Sequence, residues 1–345
     1  MPDLKVLVLF ALVFALSYLG SRLYQYYAIK IGLLANVNVR SAHELPTPTG
    51  SGLVLLKLFL VSIILLWYWQ LITVEMLLAC LGPIFVGAVG YVDDKSDLPV
   101  KVRMPLYMFA AVWSVYILGF PVINISGMEI DLGLLGLVLG VMSLFWLQNL
   151  FNFMDGVDGI ASIEVVFVCF SAVWIGCEAF NGLSSGWSLL GILIGILALG
   201  YLMTNWPPAR MFMGDAGSNF FGLMLGVFVL GNEAISVWVW MILLSQFIVD
   251  ACLTVSIRLI KHQKIYESHS QHAYQHLNRR YGTNHVLQLM IIVNFIWLLP
   301  IAYLAHEFPD MGFILLLLAS LPLVLLYWLS GAGKTEPRMA RLRVK

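Results

Sequence analysis

The sequence predicts an all-α polytopic membrane protein, and three observations carry that reading. Of its 345 residues, 61% are hydrophobic and only 11% are charged, whereas soluble domains are about a quarter charged. Mean hydropathy is +0.90. The apolar residues gather into eleven runs, most of them near the roughly 20 residues that a helix needs to cross a bilayer. No soluble stretch interrupts them, so residues 1–345 read as a single integral membrane domain. Formal net charge is zero; overall charge gives no argument for nucleic acid, and none is expected as a partner.

The runs lie near 4–28, 53–70, 74–92, 104–119, 132–149, 159–180, 186–203, 217–231, 234–258, 286–306 and 311–329. The first begins like a signal peptide, with Lys5 and then apolar residues from Val6 to Leu16. The apolar character continues to Ala28, which favours an uncleaved first helix. The runs at 104–119, 132–149 and 217–231 are short. Between the fourth and fifth, residues Val122 to Leu132 alternate apolar and polar about Ser126-Gly127, a β-hairpin signal. Cys80, Cys169, Cys177 and Cys252 lie in or beside the runs without zinc or disulfide spacing, as small buried hydrophobes do.

Basic residues orient the chain. With the connections assigned alternately to two sides, all of the 19 Lys and Arg except Lys5 fall on or snorkel to one side. That side is expected to be cytoplasmic, with the N-terminus outside and the C-terminus inside. The outer connections carry Glu75, Glu129, Asp131, Glu178, Glu233, Glu307 and Asp310.

Every polar cluster is expected on the inner side. The first, Arg40 to Gly52, combines prolines and glycines with His43, Thr47 and other hydroxyls; it can bind an oxyanion or serve as a stiff linker. The second holds Asp93, Asp94, Lys95, Asp97, Lys101 and Arg103. Adjacent carboxylates repel, so one can accept a proton or both can meet a cation, and nearby bases suit a phosphate. The third, Asn149 to Ala161, sets Asn149, Asn152, Asp155 and Asp158 between glycines. Acids beside lipid are costly and usually face a cavity or aqueous rim. If a helix begins here, Asp155 and Asp158 share a face near its start, where an anion also binds. Carboxylates next to an anion site suggest a bridging Mg²⁺. The fourth runs from Asn205 to Ser218, with Asp215 between Gly214 and Gly217 at a helix start; an N-cap is the simpler alternative. The fifth, Arg258 to Arg280, contains His269, His272 and His276 at a spacing that one helical face could carry. It can ligate zinc or offer a cationic surface to phosphates. Glu164 and Asp250 are expected deeper in the bundle.

Taken together these motifs resemble the polyprenyl-phosphate N-acetylhexosamine-1-phosphate transferase family, glycosyltransferase family 4. The resemblance rests on Asp93-Asp94 after a membrane helix and on Asn149 to Gly159, which matches Asn-x-x-Asn-x-x-Asp-Gly-x-Asp-Gly. It rests also on Asn205 through Ser218, on the Pro46-Thr47-Pro48 turn with its glycines, and on the basic, His-rich last large loop. It covers nearly the whole chain, in order and on one membrane side.

The resemblance implies transfer of an N-acetylated sugar-1-phosphate from a UDP-sugar to undecaprenyl phosphate in the bacterial inner membrane, releasing UMP, with Mg²⁺ (or Mn²⁺ in its place) as cofactor. Asp215 resembles the family's metal-binding aspartate, assisted by Asp94 or Asp158. Asp93 resembles the residue that deprotonates the lipid phosphate or, in a rival two-step scheme, attacks the donor. Asn152, Asp155, Asp158 and Asn205 would hold the nucleotide and metal side. His269 and His272, with nearby bases, would grip the diphosphate. A homodimer is a further expectation. Two departures bear on the donor. Ser51 interrupts the glycine run, and the last loop reads His272-Ala273-Tyr274-Gln275 instead of a consecutive-histidine run. That sequence looks more like the branch initiating O-antigen, lipopolysaccharide or other envelope glycans, some members of which take UDP-N-acetylated deoxyhexoses, than like the phospho-MurNAc-pentapeptide transferases. A transporter or flippase is the competing class; it calls for mid-membrane acids and inverted repeats, whereas the main acids lie at run ends and no repeat is visible.

Overall fold

A computed structural model describes residues 3–35, 46–125, 127–179, 185–264 and 269–335. Helices dominate it: α1 (Leu4–Lys30), α2 (Gly52–Tyr68), α3 (Val74–Ser96), α4 (Val100–Leu118), α5 (Gly133–Met154), α6 (Ile160–Ala179) and α7 (Gly186–Asn205). They continue with α8 (Gly214–Gly231), α9 (Val237–Leu243), α10 (Ser245–Ile260), α11 (Ala273–Tyr281), α12 (Thr283–Ile292), α13 (Leu299–Glu307) and α14 (Gly312–Ser330). Each of the eleven apolar runs is helical. Among the described residues eight helical segments are long and apolar enough to cross a membrane, and nine if α9 and α10 are one bent span. The protein is therefore a multi-pass membrane protein, while α2, with 17 residues, and α4, which carries Lys101 and Arg103, do not meet that standard, and eleven crossings are not established.

Two long helices expected to be single are interrupted, each for a local reason. The run 234–258 breaks at Leu244, where α9 and α10 meet at 76°. There Ser245 Oγ donates back to the Met241 carbonyl at 2.8 Å, a bond that bends helices. The run 286–306 passes through a π-helical stretch, Val293–Leu298, just before Pro300, whose missing N–H cannot continue the ladder. The Met290 carbonyl accepts from Gln246 Nε2 at 2.8 Å. Gln246 Nε2 also donates to Asn294 Oδ1, Asn294 Nδ2 donates to Glu164 Oε2 at 3.1 Å, and Tyr327 donates to Gln246 Oε1 at 3.1 Å. These four buried polar side chains join α6, α10, the π-helical stretch and α14 where lipid would leave them unsolvated.

Helix α8 is the centre. Every residue from Ala216 to Phe228 is buried, as suits a helix that is apolar all round. Helix α3 lies against its first turn so closely that a Cβ at Gly90 would collide with the Asp215 backbone, the close approach that small residues permit between membrane helices. On the opposite end, β3 (Ile123–Ile125) pairs antiparallel with β4 (Met128–Ile130), as the alternation predicts. Trp238 Nε1 donates to the Asn124 carbonyl at 2.6 Å and fixes this hairpin to α9. A shorter pair, β1 (Leu34–Ala35) and β2 (Thr47–Pro48), was not expected. It forms at the other end, and Phe212 N donates to the Pro48 carbonyl at 2.8 Å.

Gly90→Ala should cost about 1–3 kcal/mol, the usual range for overpacking, and lower the thermal midpoint in detergent. An unchanged midpoint would contradict the close α3–α8 approach.

Candidate active site

The alternation of helices brings the ends of α3, α5 and α7 and the starts of α2, α4 and α8 to one end of the molecule. The second, third and fourth polar stretches meet there. At their centre lies the N-terminus of α8. Its N-cap is Met213, not Asp215, and Met213 supplies no side-chain cap. The amides are capped from another helix: Asp94 Oδ1 accepts from Asp215 N at 2.9 Å, and Oδ2 accepts from Ala216 N at 3.3 Å. A carboxylate is favoured there by the unpaired N–H groups and the helix dipole. Gly214 is required for two reasons. Its φ of +70° is left-handed, and a Cβ would strike the Asp94 carboxylate.

Because Asp94 serves the backbone, the Asp215 side chain is left to face the other stretches. Its Oδ1 accepts from Asn152 Nδ2 at 3.0 Å, and its Oδ2 lies 3.5 Å from Arg103 Nη1. The same Arg103 nitrogen pairs with Asp93 Oδ2, and Asp93 Oδ1 accepts from Leu98 N at 2.6 Å. One guanidinium thus neutralises two acids from separate helices, while its Nε has no hydrogen-bond partner among the described residues. Asp155, just past the end of α5, is half-buried. Burial first, then the charges of Asp215 and Asp158, push its carboxyl up to about 7.

The remaining polar residues of these stretches brace the backbone. Asp158 Oδ2 accepts from Ala209 N at 2.8 Å. Buried Asn205 accepts from Gly159 N at 2.9 Å and donates to the Met211 carbonyl at 3.1 Å. These bonds lock the third stretch to the fourth. Asn149 is not brought to the acids through a side-chain bond; its Nδ2 donates to the Phe145 carbonyl of its own helix at 2.7 Å. Thr47 is buried within β2. Lys101 is exposed at the start of α4. His43 lies outside the described residues.

The fifth stretch reaches this end through α11. The histidine spacing suggests one helical face, but α11 begins at Ala273 and His272 is its N-cap, so only His276 of the three lies within the helix. Asp250 caps this helix as Asp94 caps α8. Its Oδ1 accepts from Ala273 N and its Oδ2 from Tyr274 N, both at 2.9 Å. His272 Nδ1 is 3.4 Å from Asp250 Oδ1, and its ring stacks on His269 with centroids 5.0 Å apart. Tyr274 donates to the Phe153 carbonyl at 3.0 Å, so close to Gly156 that a Cβ there would collide with its hydroxyl. The histidine-bearing segment is therefore seated on the turn that carries Asp155.

Four polar partners were not singled out from the sequence as site residues. Ser218 accepts from Asn152 at 2.8 Å, and Asn219 donates to the Asp215 carbonyl at 2.8 Å and faces the Tyr107 hydroxyl at 3.3 Å. Ser218 is three residues after Asp215 and Tyr107 four after Arg103, spacings that place each pair on one helix face. The fourth is Tyr274, for which no periodicity gave a signal.

Comparison with known proteins places these features in context. A family model described as glycosyl transferase family 4 matches residues 76–232, which include Asp93, Asp94, Asn152, Asp155, Asp158 and Asp215. Over 276 residues the chain is 25% identical to a protein described as a probable undecaprenyl-phosphate N-acetylglucosaminyl 1-phosphate transferase of Bacillus subtilis strain 168, covering 77% of this chain and 75% of that one. It is 32% identical over 197 residues to a phospho-N-acetylmuramoyl-pentapeptide-transferase of Streptococcus pneumoniae strain Hungary19A-6, covering 52% of this chain and 57% of the relative. A Streptococcus pyogenes serotype M6 protein of the same description is 28% identical over 235 residues, 61% of this chain and 69% of the relative.

The raised Asp155 makes a signed prediction. A carboxyl whose folded value lies above its unfolded value stabilises the fold at low pH and loses that contribution as pH rises through about 7. In metal-free protein, Asp155→Asn should therefore raise the thermal midpoint at pH 8 and raise it much less at pH 5, where most of the contribution is still present. Equal effects at both pH values would refute the burial-and-charge account.

Proposed function

The chain belongs to glycosyl transferase family 4, and from that membership we propose that it transfers an N-acetylated sugar-1-phosphate from a UDP-sugar to a polyprenyl phosphate, releasing UMP. Two chain-distant polar stretches converge on Asp215 of a third, one through Arg103 and Asp94 and the other through Asn152, and this convergence is the observation that carries the reading. A reaction that exchanges one phosphoanhydride for another depends on holding two anions in line and neutralising their charge. An end of the bundle with acids, one shared guanidinium and an unpaired donor supplies the parts for that.

The donor set fits Mg²⁺. Among the described residues no three His, Cys, Asp or Glu side chains form a cage for a metal. A hard dication that carries substrate phosphates needs only one or two carboxylates, with water for the rest. Asp215 and Asp155 are close enough for one to raise the other's pKa, and they are the residues we assign to it; Asp158 would assist. A Mg²⁺ held there would supply positive charge that offsets the charge of the substrate phosphates.

The protein's own residues perform the rest. Arg103 pairs with Asp93 Oδ2, so an arriving phosphate that takes over the guanidinium frees that oxygen. Asp93 then accepts the proton of the lipid phosphate, whose oxygen attacks the phosphorus bearing the sugar as UMP departs. Direct attack by Asp93 is the alternative order of steps. Asn152 orients Asp215. His269 and His272, on the segment seated against Gly156, would contact the donor diphosphate. Asp94 and Asn205 keep the backbone in place instead of meeting substrate. The stretch His272-Ala273-Tyr274-Gln275 supports a donor of the O-antigen or surface-polysaccharide type, an N-acetylated hexosamine or deoxyhexosamine. With the N-terminus outside, this end faces the cytoplasm of a bacterial inner membrane, where nucleotide sugars are found.

The test is UMP release and lipid-linked product from purified protein with undecaprenyl phosphate, Mg²⁺ and a panel of UDP-sugars that includes UDP-MurNAc-pentapeptide. One donor should react and EDTA should stop it. Asp93→Asn and Asp215→Asn should each lower kcat by about 10²–10⁴-fold, the usual range for a positioned acid or base, while retaining wild-type thermal midpoints. Full activity in both variants would sink the assignment.

A further inference from the structure

A groove of about 400 Å³ lies between the second half of α11, the start of α12 and the end of α14. Its wall is apolar, with Leu289, Leu326 and Leu329; its rim carries Arg280, Tyr281 and His285. Among the described residues no carboxylate lines it. Its height in the membrane is fixed by the helices that form it. One candidate span begins at Thr283 and another ends at Ser330, so the rim lies where hydrocarbon gives way to headgroups. Arg280, Tyr281 and His285 are all exposed there.

We propose that this groove binds an anionic glycerophospholipid, its phosphate on Arg280 and His285 and an acyl chain along the leucine wall. Charge complementarity selects the occupant. A basic pocket between membrane helices at interface level suits an anionic head group. An aromatic residue at the rim suits the same depth. A zwitterionic lipid would match the wall but not the rim. The polyprenyl phosphate of the reaction is a poorer fit, because Asp93, Arg103 and Asp215, the residues proposed to act on its phosphate, are not among those that line the groove. A bound lipid would have a structural effect. It would fix the second half of α11, whose first turn seats Tyr274 against Gly156. The proposal does not depend on the identity of the sugar donor.

The experiment uses full-length protein in nanodiscs of phosphatidylcholine, alone or doped with phosphatidylglycerol. Native mass spectrometry after release counts retained lipid, and the thermal midpoint is read in parallel. Wild type should retain phosphatidylglycerol preferentially and melt higher in the doped discs. Arg280→Ala should weaken retention about fivefold, the worth of one basic side chain at an anionic surface. Arg280→Ala with His285→Ala should abolish the midpoint difference, and Arg280→Lys should keep it. Equal retention of phosphatidylcholine, an unaffected double variant, or one-for-one displacement of phosphatidylglycerol by undecaprenyl phosphate would each overturn the proposal, the last by making the groove a substrate passage.

Discussion

The contact between Asp94 and the first amides of α8 is the constraint on which the rest of this molecule depends. A helix that starts inside a bundle leaves N–H groups with no water to receive them. Here the solution comes from α3, and it sets three things at once. It fixes how far α3 slides along α8, it demands glycine at 214, and it frees the neighbouring Asp215 carboxylate from capping duty. Had Asp215 capped its own helix, its oxygens would have been turned back toward the backbone. The pairing of Asp93 and Asp94 thus divides labour: one acid holds the scaffold and the other meets Arg103.

The same device recurs at the other end of the chain. Asp250 receives the first two amides of α11 much as Asp94 receives those of α8. Asp94 sits near the end of α3 and Asp250 in the first half of α10; each holds the start of another helix and leaves it in a fixed direction. The buried arginine of α10 completes the second case: Arg258 donates to Gln271 Oε1 at 2.7 Å and to Gln263 Oε1 at 3.1 Å. These bonds join the two sides of the last loop. Polar residues that a hydropathy profile treats as interruptions are, in this bundle, the joints.

Much of this was legible in the sequence because hydropathy and glycine placement are local signals. The eleven helical runs, the hairpin between the fourth and fifth runs and the clustering of the polar stretches at one end all followed from them. What was not legible depends on which atom a side chain reaches. Nothing in the spacing distinguishes Asp94 on an amide from Asp93 on a guanidinium, or Asn149 bonded within its own helix from Asn152 on Asp215. The breaks at Leu244 and before Pro300 were missed because apolar composition runs unbroken through both. The histidines misled for a related reason. A helical spacing shows only that a face could carry them, and the start of α11 was set by an acid 23 residues earlier in the chain.

The seat of Tyr274 on Gly156 has a consequence for how such a protein can diversify. The matched family region ends at residue 232, before α11, yet α11 rests directly on the turn that carries Asp155. A segment outside the matched region is therefore braced against a turn inside it. A changed loop can be accepted only if it preserves a hydroxyl, or something its size, over that glycine. Change in α11 is tethered, through one phenol and one missing methyl group, to the turn that carries Asp155.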